Sequence, residues 1–199
     1  MEQPKLINNV NELVADDLKA RLSSHSRISI AAASFSIYAF EALKKELEEI
    51  DELRFIFTSP TFIKEKTKKE KREYYIPKLN RERNLYGTDF EVRLRNQLSQ
   101  KAIAKECAAW IRKKVQFRSN ASLEQMGGFL HAEDEDQHVY VPFNEFTTAQ
   151  LGCERGNELY NVVNVLSSPT ADAYLRIFNE QWDNDEKFED VTQRVLEYI

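Results

Sequence analysis

The sequence predicts an α/β fold with parallel central strands covered on both sides, and three observations carry that prediction. RISIAAASFS, a strand from about Ile28, and LRFIFTSP from Leu53 are almost wholly apolar and read as buried strands. Between them, YAFEALKKELEEI repeats Phe40, Leu43, Leu47 and Ile50 at helical spacing. Strand, helix and strand within about 30 residues make a βαβ unit, and its crossover is expected to be right-handed.

The other elements follow in chain order. VNELVADDLKARL, Val10 to Leu22, places Val10, Leu13, Val14 and Leu18 on one helical face. KEKTKKEKREYYIPKLNRER, Lys64 to Arg83, is interrupted by Pro77 and reads as a surface excursion. SQKAIAKECAAWIRKK turns Ile103, Cys107 and Trp110 or Ile111 inward, and the strand VQFRS after it implies a second βαβ return. GGFLHAE and HVYVPF are short strands on either side of an acidic run, with Gly127-Gly128 as a tight entrance to the first. LYNVVNVLSS is a further strand. Ser168-Pro169 then opens a helix with Tyr174, Leu175, Phe178 and Trp182 along one side. A last amphipathic helix carries Phe188, Val191, Val195 and Tyr198. It has neither a glycine cap nor a proline stop, which suggests a domain from a longer chain.

A chain of 199 residues, 42% hydrophobic, is expected to be one domain with a real core. No apolar run approaches the roughly 18 residues of a membrane span. MEQPKLINNV lacks the pattern of a secretory signal. Cys107 and Cys153 read as cytosolic thiols rather than a disulfide framework, with Cys107 in the core, so a cytoplasmic location is expected. Charge is unevenly spread within the net −5: residues 61 to 118 carry 17 Lys/Arg against 7 Asp/Glu, whereas residues 131 to 199 carry 4 against 15. The basic middle suits a polyanion and the acidic end does not. Tyr74 and Tyr75, next to Lys71 and Arg72, could stack on bases of a single strand or half-pack on a helix.

FLHAEDEDQH is the stretch richest in chemistry. His131, Glu133, Asp134, Asp136 and His138 hold the atoms a zinc or manganese site needs, but only His131 and Glu133 share a strand face and could converge, the rest falling in a turn. The spacing matches no strong metal motif, and a solvated turn over EDEDQ is the simpler reading. No metal or cofactor is expected. His25, in SSHSR, reads as an exposed loop residue.

The strand ending in SFS, the helix YAFEALKKEL, the strand LRFIF and the block Gly87 to Ser119 together resemble phospholipase D-like domains. The likeness is to those at the N-terminus of bacterial Swi/Snf- and DEAD/DEAH-type helicases. It spans nearly the whole chain, 1–199, and is most specific between Gly87 and Gly152. It implies a mixed, largely parallel sheet flanked by helices on both faces. The family motif is His-x-Lys, an Asp several residues on, and a Gly-Ser-x-Asn turn. One histidine attacks phosphorus, and a second, from a symmetry-related motif, protonates the leaving oxygen. A chain with a single motif would work as a homodimer.

The resemblance places His131 at the nucleophile, Thr147 in the following strand end, and Glu158 where an acid could orient the histidine. Glu133 stands in place of the lysine, His138 in place of the aspartate, Pro142 in place of the glycine and Glu145 in place of the asparagine, with Asn144 one residue early. A phosphodiester needs positive charge and donors around it, and here it would meet carboxylates. The expectation is therefore a degenerate domain, an accessory module of an ATP-binding helicase-type protein, that binds DNA or self-associates. DNA would contact Lys68, Lys69, Lys71, Arg72, Arg93, Arg95, Lys113 and Lys114. A surviving His131-dependent phosphodiesterase or nuclease, and a protein–protein module using the acidic end, are the alternatives.

Overall fold

The two apolar runs form strands β2 (Arg27–Ala32) and β3 (Glu52–Phe57), paired in parallel with Ile28 opposite Leu53 and Ala32 opposite Phe57. The computed structural model describes residues 4–59, 89–122, 124–156 and 160–199, without the side chains of 89–98. Before β2 come β1 (Lys5–Ile7) and α1 (Val14–Arg21). Between β2 and β3 lie α2 (Ile37–Ala42) and α3 (Lys44–Glu49). Then follow α4 (Asp89–Lys114), β4 (Val115–Asn120), β5 (Phe129–Glu133), β6 (Gln137–Val141) and β7 (Val163–Ser167). The chain closes with α5 (Thr170–Trp182), β8 (Phe188–Asp190) and α6 (Thr192–Tyr198).

Among the described residues these strands make one mixed sheet in the order β1-β7-β6-β5-β2-β3-β4-β8. β2–β3 and β3–β4 are parallel, each reached through helix, as the two βαβ readings require. The expectation of a largely parallel sheet is corrected: the other five pairings are antiparallel. The connections give the reason. β5 and β6 are joined through Asp134–Asp136 alone, and a parallel return needs roughly a dozen residues or more.

Helices cover both faces, unequally. Alternation along the strands sends Ile28, Ile30, Phe55, Phe117, Leu130 and Tyr140 into a large core shared with α1–α4 and α6. Ala31, Ile56, Phe129 and Val139 face the other way, where α5 covers them with Ala171 and Phe178. Cys107, Trp110 and Ile111 turn into the larger core as expected, with Ile103 partly buried against it. Gly128 brings β5 close to the segment after β6: a Cβ there would lie 2.4 Å from the Phe143 carbonyl oxygen.

Local chemistry moved several boundaries. α1 begins four residues later than expected, because Asn8 Oδ1 accepts from the Val10 and Asn11 N–H groups and Asn9 Oδ1 accepts from Val14. Such side-chain bonds offer the backbone an alternative to helix. The helix after β2 is two pieces, since Leu43 leaves helical geometry (φ −117°, ψ 15°) and turns its N–H to Phe40 O. The expected last helix is β8 followed by α6. Phe188 pairs with Asn120 at the sheet edge, and Asp190 Oδ1 accepts from the Thr192 N–H to start α6. Strand β1 was not anticipated. Among the described residues, no helix is long and apolar enough to cross a membrane.

Candidate functional site

His131 stands at the centre of β5, opposite Ser29 of β2 and Val139 of β6. It points to the α5 face, because Phe129, two residues earlier, packs there against Tyr174 and Phe178. The side chain is fully buried, and neither ring nitrogen has a hydrogen-bond partner. Gln137 lies beside it, yet Gln137 Oε1 is also unbonded, so their geometry falls short of a hydrogen bond. Burial pushes the imidazole pKa down to about 4, helped by Arg54 and His138 and opposed by Gln137 and Asp172. His131 is therefore a neutral ring sealed beneath a helix.

Of the residues aligned with it, Thr147, Asn144 and Glu145 do not join it. Phe146, one residue before Thr147, bridges Phe35, six residues beyond Ser29 along the chain. That puts Thr147 beyond the carboxyl end of β2, whereas His131 lies opposite the middle of that strand. Thr147 Oγ1 accepts from the Gln150 N–H and its carbonyl from Leu151, so it opens a turn. Asn144 and Glu145 are exposed on the segment after β6. Asn144 holds that segment to the end of β2 through its carbonyl, 2.7 Å from Ala33 N. Glu133 is half-buried at the end of β5, and Glu158 lies outside the described residues.

His138 faces away from His131, since Ala132, not His131, is its partner across the ladder. Its Nε2 lies 2.7 Å from Arg21 Nη1. A guanidinium only donates, so Nε2 is the acceptor there. Arg21 leads to a polar cluster that the sequence did not reveal. Asp17, its side chain 7% exposed, accepts from Lys5, Arg21 and Tyr140 at 2.7–2.9 Å. Burial alone would raise the Asp17 pKa, but the bonds from Lys5, Tyr140 and Arg21 outweigh it and hold the carboxyl below its usual range. The same burial, with Asp17 alongside, pushes the Tyr140 phenol up. The i,i+4 spacing of Asp17 and Arg21 was the only signal in the sequence.

The acidic run is the turn it was expected to be. Asp134 Oδ2 accepts from Ser26 Oγ and Oδ1 from the Glu135 N–H. Among the described residues, no three His, Cys, Asp or Glu side chains converge where they could hold a metal ion. His25 is exposed and Cys107 is buried, its thiol pushed up to about 12 by burial.

Of the residues expected to meet DNA, Lys68, Lys69, Lys71 and Arg72 lie outside the described residues, as do the Arg93 and Arg95 side chains. Lys113 is exposed in the last turn of α4. Lys114 is half-buried and donates to Glu48 O (2.8 Å) and Ile50 O, tying α4 to the end of α3. Two strand arginines are also engaged. Arg54 lies over the Phe178 and Trp182 rings, 5.0 and 5.5 Å from their centroids, and donates to Ser29 Oγ. Burial lowers its pKa. Arg118 donates to Trp182 O, Phe188 O and Asp185. Both clamp the α5 side of the sheet; an arginine inside an otherwise apolar strand was the signal for Arg54. The carboxyl ends of the parallel strands spend their polar groups on loop closure, with Asn120 bonded to Thr58 O, Glu124 O and Ser122. No known protein family matches the chain, and no curated protein matches it.

Proposed function

We propose that the chain is a catalytically silent α/β domain of the phospholipase D-like type, an accessory module of a helicase-type protein that binds DNA or holds two copies together. The observation that supports silence is the burial of His131. An attacking nitrogen needs a lone pair directed at phosphorus within about 3–3.5 Å, and this ring lies under α5 with no exposed atom. The carboxylates of the following turn would repel a phosphate that approached it. The DNA half of the proposal rests on the charge of residues 61–118, 17 basic against 7 acidic, and on exposed Lys113.

Two assays test the pair of claims. In EDTA, wild type and His131→Ala are expected to hydrolyse a generic phosphodiester equally, at background; hydrolysis lost in the variant overturns silence. Oligonucleotide affinity is expected to fall steeply as salt rises. Each lysine contact removed among Lys68, Lys69, Lys71 and Lys113 should reduce the salt slope by about 1. Affinity unchanged by removing all four rejects DNA binding through this region.

A further inference from the structure

Between α5 and the carboxyl end of β4 lies a cavity of about 340 Å³. Met126, Phe129, Val141, Tyr174, Ile177 and Phe188 supply its apolar lining, with Ser122, Gln125 and Gln181 as polar neighbours. Ile177 is 47% exposed there, a large apolar side chain that α5 leaves without cover. Asn120, ending a parallel strand, and Gly127 and Gly128, where the chain crosses to the other side of β2, also line it. Gly127 adds clearance, for a Cβ there would meet nothing within 4 Å. The volume is at the small end of ligand pockets, about 300–1,000 Å³, and suits one or two large side chains.

Charge narrows the occupant. The two charged groups lining the cavity, Glu124 and Lys187, neutralise each other at 2.7 Å. Around them the surface is acidic. Glu180 lies three residues after Ile177 on α5, a neighbouring surface position, and Glu186 precedes Lys187. Both are exposed and, among the described residues, form no ion pair. From Arg176 to Asp190 the chain carries six carboxylates, of which Asp185 and Glu189 are paired with Arg118 and Arg194, against Arg176 and Lys187. A phosphate backbone would meet like charge, whereas a basic segment would gain. Main-chain pairing along β8 is blocked beside the cavity, because the Phe188 N–H goes to Asn184 O and its carbonyl to Arg118. Recognition here works through an anchored side chain rather than an added strand.

We propose that this cavity is a peptide-binding site for a partner segment that inserts a leucine, methionine or aromatic side chain flanked by lysine or arginine. The site lies apart from Lys113 and does not depend on DNA binding. Fluorescence anisotropy of the intact chain with a short labelled peptide, Leu and Phe set between Lys and Arg, reads it directly. Saturable binding is expected. Ile177→Lys should weaken it at least about tenfold, as should Glu180→Lys combined with Glu186→Lys. All three positions are exposed, so the thermal unfolding midpoint should hold. The proposal is overturned by absent binding, by unchanged affinity in Ile177→Lys, or by equal binding of peptides with Ala for the apolar residues or Gln for the basic ones. Displacement of the peptide by a single-stranded oligonucleotide in both wild type and Ile177→Lys also overturns it.

Discussion

Protonating His131 would set a cation beneath α5 beside Arg54, with Asp172 as the nearest compensation that acts on it. The folded ring ionises only near pH 4, against 6.5 for an ordinary imidazole. The unfolded chain therefore takes up the proton first as pH falls. Stability from the neutral ring is complete above about pH 6.5 and declines between about 6.5 and 4. The loss across that window is on the order of 3 kcal/mol. Urea unfolding from neutral pH to about pH 4 should show this decline in wild type and a flatter profile in His131→Leu. A folded-state imidazole titration near 6.5 would sink the account. Asp17 acts in a lower window: its depressed pKa contributes stability that is present above the usual carboxylate pKa and is lost as pH falls from there through the lower folded value.

Helices α3 and α4 meet through side chains that end one and anchor the other. Trp110 Nε1 donates to Leu47 O at 2.7 Å, and Lys114 Nζ reaches the carbonyls of Glu48 and Ile50. Those carbonyls close α3 and have no partner within it, so a cation there satisfies both the bonds and the helix dipole. Lys114→Met should cost about 1 kcal/mol in denaturant unfolding, and Lys113→Met, on an exposed side chain, within about 0.5 kcal/mol. If DNA binds as proposed, only the Lys113 change should alter its affinity. Equal stability losses in the two variants would show that the Lys114 bonds contribute little. Two neighbouring lysines that look alike in sequence thus carry different work.

At the scale of the whole molecule, Phe35, Phe55, Phe57, Phe117 and Phe146 meet ring to ring, with centroid separations of 4.8–5.7 Å. They come from segments up to 111 positions apart, so the cluster joins both halves of the chain into one core. Phe117→Ala should cost about 3–5 kcal/mol, and fluorescence and circular dichroism transitions should still coincide. Separate transitions would mean that the halves unfold independently. The kinds of element were readable from the residues alone. RISIAAASFS, LRFIF and VQFRS were legible as strands, and the acidic run as a turn, because side-chain periodicity and turn chemistry are local. Phe188 misled because an edge pairing depends on a distant partner, and Leu43 because its turn back to Phe40 O breaks a helix that apolar spacing alone would continue. Long-range pairing set β5 antiparallel to β2, turned His131 toward α5 and left Thr147 away from it. A histidine between apolar neighbours on a strand fits either face in sequence, and burial, set by long-range pairing, chooses between them.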